Sequence, residues 1–132
     1  MKIFVSFRFT GENLQELENT LTRIKNVLEQ KGHEVVCSFW REEYYRENNS
    51  TNKEILEDML PQIDSCHAIL ALIKSSDKSE GMLLEIVYGL AKKKQLILAS
   101  KNNVKTTFLH EIAEKVIEFE TIDDLIQKLD QI

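Results

Sequence analysis

The 132 residues carry 17 Lys plus Arg against 22 Asp plus Glu, a formal net charge of −5, with 42% hydrophobic and 30% charged residues, four Gly and one Pro. That length and balance describe a single domain over residues 1–132 and exclude disordered, collagen-like and low-complexity chains. The acidic excess without a basic tract argues against a nucleic-acid groove or an anionic membrane surface, since both are held through Lys and Arg.

In chain order, short apolar runs alternate with longer amphipathic stretches. This is the pattern of a parallel sheet covered by helices on both faces. Lys2 to Phe7 reads as the first strand, and Asn13 to Lys31 as a helix with Leu14, Leu17, Leu21, Ile24 and Leu28 on one stripe. Gly32 ends that helix, Glu34 to Phe39 is the second strand, and the polar segment Arg41 to Asn52 reads as a surface loop. Thr51 or Asn52 caps a helix from Lys53 to about Gln62, and His67 to Ile73 (HAILALI) is a central strand buried on both faces. After a polar turn, Lys74 to Ser79, a helix runs from Ser79 to Lys93, followed by a strand at Gln95 to Ala99. A short helix near Phe108 to Glu114, a strand at Lys115 to Phe119 and a helix from Thr121 to Leu129 complete the chain. The expected architecture is a doubly wound, five-stranded parallel sheet in the flavodoxin-like order 2-1-3-4-5.

No apolar run approaches the roughly 20 residues that span a bilayer, and the N-terminus lacks the long apolar stretch of a signal peptide, so the expected location is cytoplasmic. Cys37 and Cys66 have neither CxxC spacing nor a Cys/His ligand pattern and are expected to be reduced, buried thiols, with no metal site.

Ligands of such sheets sit beyond the carboxyl ends of the strands, near the point where strand order reverses. That gives priority to the loops after Phe7 and Ile73. Glu85 is a lone carboxylate in the apolar run MLLEIVY, with Gly81 and Gly89 one turn either side. The two glycines would leave bare helix surface beside the acid, room for a sugar, while the plainer alternative is a half-exposed Glu. Ser79 starts the same helix, where free N–H groups and the dipole favour an anion. It lies six residues from Glu85, a rise of about 9 Å. Arg8, at the end of strand 1, offers a guanidinium for a phosphate, and Gly11 allows backbone amides to approach, unless Arg8 only forms a surface ion pair. Phe9, Phe39 and Trp40 either stack on a base or pack as core and rim. Asp58 and Asp64 flank the helix before strand 3, and either is a second acid for Glu85 or a solvated helix-face residue.

The segments KIFVSFRFTGE, KGHEV, IDSCHAILALI and SEGMLLEIVYGLAKKKQLILA resemble the nucleoside 2-deoxyribosyltransferase family and its relatives, the 2′-deoxynucleoside 5′-monophosphate N-hydrolases. The resemblance implies an N-glycosidase or glycosyltransferase acting on a (deoxy)nucleoside or its 5′-monophosphate without a cofactor. Glu85 falls on the catalytic glutamate that attacks C1′, and Asp58 stands next to Met59, which occupies the position of the second acid. Transferases of free nucleosides usually carry Asp where this chain has Ser79, the residue of the monophosphate hydrolases, and Ser6-Phe7-Arg8 is similar to the hydrolases' Ser-x-Arg. Ser6, Arg8, Gly11, Ser79 and Gly81 are thereby expected to bind substrate. Thr106 or Thr107 is expected to complete a neighbouring subunit's site, which implies a homodimer or higher homo-oligomer. The alternatives are a TIR-like NAD-cleaving module, which opens with a similar FVSFR strand, and a catalytically silent nucleotide-binding domain.

Overall fold

Lys2–Ser6 forms β1, which pairs in parallel with β2 (Glu34–Val36) on one side and β3 (Ala68–Ile73) on the other. The ladder continues through β4 (Gln95–Lys101) to β5 (Lys115–Phe119), giving the order β2-β1-β3-β4-β5. The computed structural model describes residues 1–9, 11–77 and 79–132, so Thr10 and Lys78, in the expected loops after strands 1 and 3, lie outside the described residues. All six β3 residues are buried, as a central strand covered on both faces requires.

On one face lie α1 (Leu14–Gln30) and α6 (Ile122–Leu129). Leu17, Leu21, Ile24 and Leu28 of α1 pack there with Leu125 and Leu129 against alternate residues of β1, β3 and β4. Asn13 caps α1 by accepting the Glu16 N–H at 3.0 Å, and Gly32, at φ +88°, releases the chain into β2. The opposite face carries α3 (Asn52–Asp64), α4 (Glu80–Ala91) and the short α5 (Leu109–Ile112). Thr51 caps α3 in a reciprocal capping box with Glu54. The helix continues past Gln62 through Pro61 to Asp64.

Two expectations change. β2 stops at Val36 instead of Phe39, because it is an edge strand whose pairing with β1 ends at Phe4↔Val36. A 3-10 turn (Ser38–Arg41) then leads into α2 (Glu42–Glu47), where a loop was expected. Tyr45 anchors α2 at 4% exposure, and Arg41 at its start is bound by Asp58 of α3. The expected thiols are both free and buried.

Candidate functional site

A cavity of about 510 Å³ opens at the carboxyl end of β1 on the α3/α4 side. Phe7 and Phe9 line it from the exit of β1, Ser38, Glu42 and Tyr45 from the segment after β2, and Asn52, Ile55, Leu56 and Met59 from α3. The wall opposite α3 is the first half of α4, from Ser79 through Gly81 and Leu84 to Glu85.

Glu85 accepts a 2.8 Å hydrogen bond from the hydroxyl of Ser6, which is itself fully buried at the end of β1. Burial pushes the Glu85 carboxyl up to about 7, and the Ser6 hydrogen bond pulls only weakly the other way. No cation is paired with it among the described residues. Ser79 caps α4, its hydroxyl oxygen accepting the Met82 N–H at 3.1 Å. Among the described residues the hydroxyl proton has no acceptor, and first-turn amides of a helix have no intrahelical acceptor. Gly81 has open space where a Cβ would stand, so the helix surface beside the cavity is bare there.

Gly89 is different from the sequence expectation. It faces the sheet, where a Cβ would collide with the side chain of Ile69, so its role is close helix–sheet packing and not room for a ligand.

Other predicted residues fall outside the cavity lining. Arg8 borders a separate groove of about 770 Å³ on the α1/α6 side, together with Glu12, Lys74 and Asp77, and stands 3.9 Å from Asp77. Gly11, at φ +81°, packs against the Arg8 guanidinium, where a Cβ would come within 3.0 Å. Asp58 accepts from Arg41 at 2.6 and 3.2 Å and from the Tyr45 hydroxyl at 2.7 Å. Burial opposes ionisation of Asp58, but the bonds from Tyr45 and Arg41 outweigh it and hold the carboxyl below the usual range. Asp64 accepts from the Tyr88 hydroxyl near the start of β3, and His67 accepts the Lys2 N–H there. Thr106 is tied to His110, its hydroxyl oxygen accepting the His110 N–H at 3.0 Å, and Thr107 is exposed. Phe39 and Trp40 pack edge to face with each other, Phe39 also with Phe7.

The family model for nucleoside 2-deoxyribosyltransferase matches residues 8–124. The chain belongs to this family. Its chemistry is therefore that of an enzyme of the N-glycosidic bond, by cleavage or transfer. No curated protein sequence matches the chain significantly. Among solved structures, the CMP N-glycosidase of Clostridium botulinum is similar at 19% identity over 99% of this chain and 98% of that one, with a TM-score of 0.74. The 2-deoxyribosyltransferase of Bacillus psychrosaccharolyticus is similar at 18% identity over 98% and 96%, with a TM-score of 0.66. A response regulator receiver domain from Clostridium thermocellum gives 0.54 at 19% identity over 98% and 94%, so the same sheet also serves outside the deoxyribosyltransferase family.

Within this deoxyribosyltransferase-family domain, the lining residues that the sequence alone did not single out include Glu42, Tyr45, Ile55 and Leu56, and Asn52 was expected only as a helix cap. The signal for them was Tyr44-Tyr45 inside an otherwise polar run, with Arg41 one helical turn before Tyr45. Among the described residues, no helix is long and apolar enough to cross a membrane.

Proposed function

We propose that the protein hydrolyses the N-glycosidic bond of (deoxy)nucleoside 5′-monophosphates, with Glu85 as the nucleophile toward C1′. The observation that carries this reading is that one cavity holds both the half-buried Glu85 carboxylate and the N-terminus of α4 at Ser79. Glu85 lies six positions beyond Ser79, a rise of about 9 Å along the helix, so the two address opposite ends of one bound sugar phosphate.

In its ionised form, a Glu85 oxygen attacks C1′ and the bond from C1′ to the base nitrogen breaks, its electron pair leaving with the base. Solvent protonates the departing nitrogen. Water then adds to C1′, the bond to Glu85 breaks with its pair returning to the carboxylate, and the surplus proton passes to solvent. Ser6 holds the attacking carboxylate in place through its hydroxyl. The first-turn amides of α4, its dipole and the Ser79 hydroxyl take the phosphate. Arg8 lines the separate groove on the α1/α6 side and reaches this phosphate only by leaving its long contact with Asp77 and turning across the end of β1. Gly81 gives the sugar access, and Gly11 keeps the Arg8 side chain uncrowded. Asp58, already held ionised, is a positioning residue that acts through Tyr45, which lines the cavity.

A second copy of the chain is the protein partner in this reading. The outer face of α4 exposes Val87 at 62% and Leu84 at 53%, and Leu84 also lines the cavity, so a copy seated there would cover apolar surface and narrow the opening. Thr106 and Thr107, outside their own cavity lining, are assigned to the neighbour's. Light scattering should give a dimer that Val87→Glu dissociates, and a monomeric wild type removes this part.

The central test incubates the protein with nucleosides, 5′-monophosphates and NAD and measures free base by chromatography. Wild type is expected to prefer a 5′-monophosphate over its nucleoside, and Ser79→Asp to reverse that order by setting a like charge against the phosphate. A wild type that prefers the nucleoside, or a substitution that weakens both equally, replaces the hydrolase reading with a transferase one. Nicotinamide release alone would move it to the TIR-like class.

A further inference from the structure

Glu42 is the one charged side chain that α2 contributes to the cavity lining, and its carboxylate makes no hydrogen bond or ion pair with any described residue. The neighbouring cation cannot neutralise it, because Arg41 is turned onto Asp58 and stacks over Tyr44 at 4.5 Å. Ser38 and Asn52 also line this cavity without a side-chain hydrogen bond among the described residues, and apolar Phe7, Ile55 and Met59 line it with them.

The topology gives this end of the cavity its meaning. Ser79 follows β3 and Glu42 follows β2, and these strands flank β1 on opposite sides. Two strand spacings separate them, about 10 Å. A ligand with its phosphate at α4 and its sugar over Glu85, near the end of β1, therefore extends its base toward β2, between apolar side chains and up to Glu42.

We propose that Glu42 reads the edge of the base and selects amine-bearing bases, cytosine, adenine or guanine, over uracil and thymine. The inference rests on the reading above that this cavity takes a nucleoside monophosphate. An ionised carboxylate only accepts hydrogen bonds. An exocyclic amine, alone or beside a ring N–H as in guanine, supplies donors to it, whereas uracil and thymine flank their single N–H with two carbonyl oxygens that repel it. Glutamine at the same position has one acceptor and one donor, and by turning its amide serves either kind of base equally.

The experiment compares specificity constants for cytidine and uridine 5′-monophosphates, in ribo and deoxy forms, in wild type and Glu42→Gln, with binding of the same nucleotides measured by calorimetry in the Glu85→Gln background. Wild type is expected to favour the cytosine nucleotide by roughly tenfold or more, and Glu42→Gln to bring the ratio near unity while retaining hydrolysis. Circular dichroism and Glu42→Ala confirm that the change is local. Hydrolysis without base preference, or a preference that survives Glu42→Gln, overturns the inference and leaves the hydrolase reading standing. Preference in binding, lost in Glu42→Gln, without any base release overturns the hydrolase reading and keeps the inference. Neither release nor selective binding overturns both.

Discussion

On the α1/α6 side of β1, Arg8 faces Asp77 at 3.9 Å and Lys74 faces Glu12 at 3.5 Å, all lining one open groove. On the α3/α4 side, the one hydrogen-bond partner of the Glu85 carboxylate among the described residues is a neutral hydroxyl, and burial lifts its carboxyl to about 7. Both hollows lie at the carboxyl end of the same sheet, where a ligand is expected. What separates them is compensation. Charges that satisfy one another at the surface cost little and contribute little, whereas a carboxylate desolvated without a counter-ion is held at high energy when ionised, ready to be relieved by forming a bond.

The sharpest way to break this contrast is Glu85→Gln. Base release is expected to fall at least about 10³-fold, measured by single-turnover chromatography, while nucleotide binding persists. The same variant tests the origin of the shift. Because the folded Glu85 titrates near 7, above its unfolded value of 4.5, wild type loses stability as pH rises between those values and carries the full penalty above 7. Glu85→Gln lacks that slope, so its melting temperature should exceed wild type's at pH 8 and approach it at pH 4.5.

A smaller effect is expected at the clamp beside the cavity. Asp58→Asn should raise KM and lower turnover by about tenfold in total through a displaced Tyr45, and Arg41→Gln should do the same. The double variant should be no worse than either single one, since both break one unit. Independent losses that multiply would instead make Asp58 an acid in its own right. Asp64→Asn, on a residue bonded to Tyr88 away from the cavity lining, should leave turnover unchanged.

Ser6→Ala should act on pH dependence before it acts on rate. Removing the hydrogen bond that favours the ionised form moves Glu85 further up, and the acidic limb of the kcat profile should follow in the same direction. At the weak end stands Asp77→Ala. This residue is 75% exposed, so stability should change by no more than about 0.5 kcal/mol in thermal melts.

The strands and long helices were legible because their signals are local and repeated. HAILALI has no polar face, and the stripe of α1 recurs at helical spacing. Glu85 stood out as the one acid in the apolar run MLLEIVY, and Ser79 as the cap of its helix. The segment after β2 was illegible for the opposite reason. α2 is held by one buried tyrosine and by Arg41 reaching Asp58, 17 residues on, a contact no window of sequence contains. The separation of Ser6 from Arg8 was hidden as well. Alternation would put both on one face of a strand, but β1 ends at Ser6 and the rule ends with it. Gly81 and Gly89 look equivalent in sequence, and only the helix's rotation against β3 distinguishes the open one from the packed one.

That rotation has an engineering corollary. Replacing a helical glycine by alanine is a routine route to stability, since it gains about 1 kcal/mol in helix propensity. At Gly89 that route is closed. A methyl there strikes Ile69 and either overpacks the interior, at about 1–3 kcal/mol, or turns α4 about its axis. Glu85 sits one turn earlier on the same rigid rod, so any such twist carries the carboxylate away from Ser6. Position 89, facing the sheet and not the cavity, thus works as the index mark that sets the angle of the reacting group, and a thermostabilised version of this enzyme must leave it untouched.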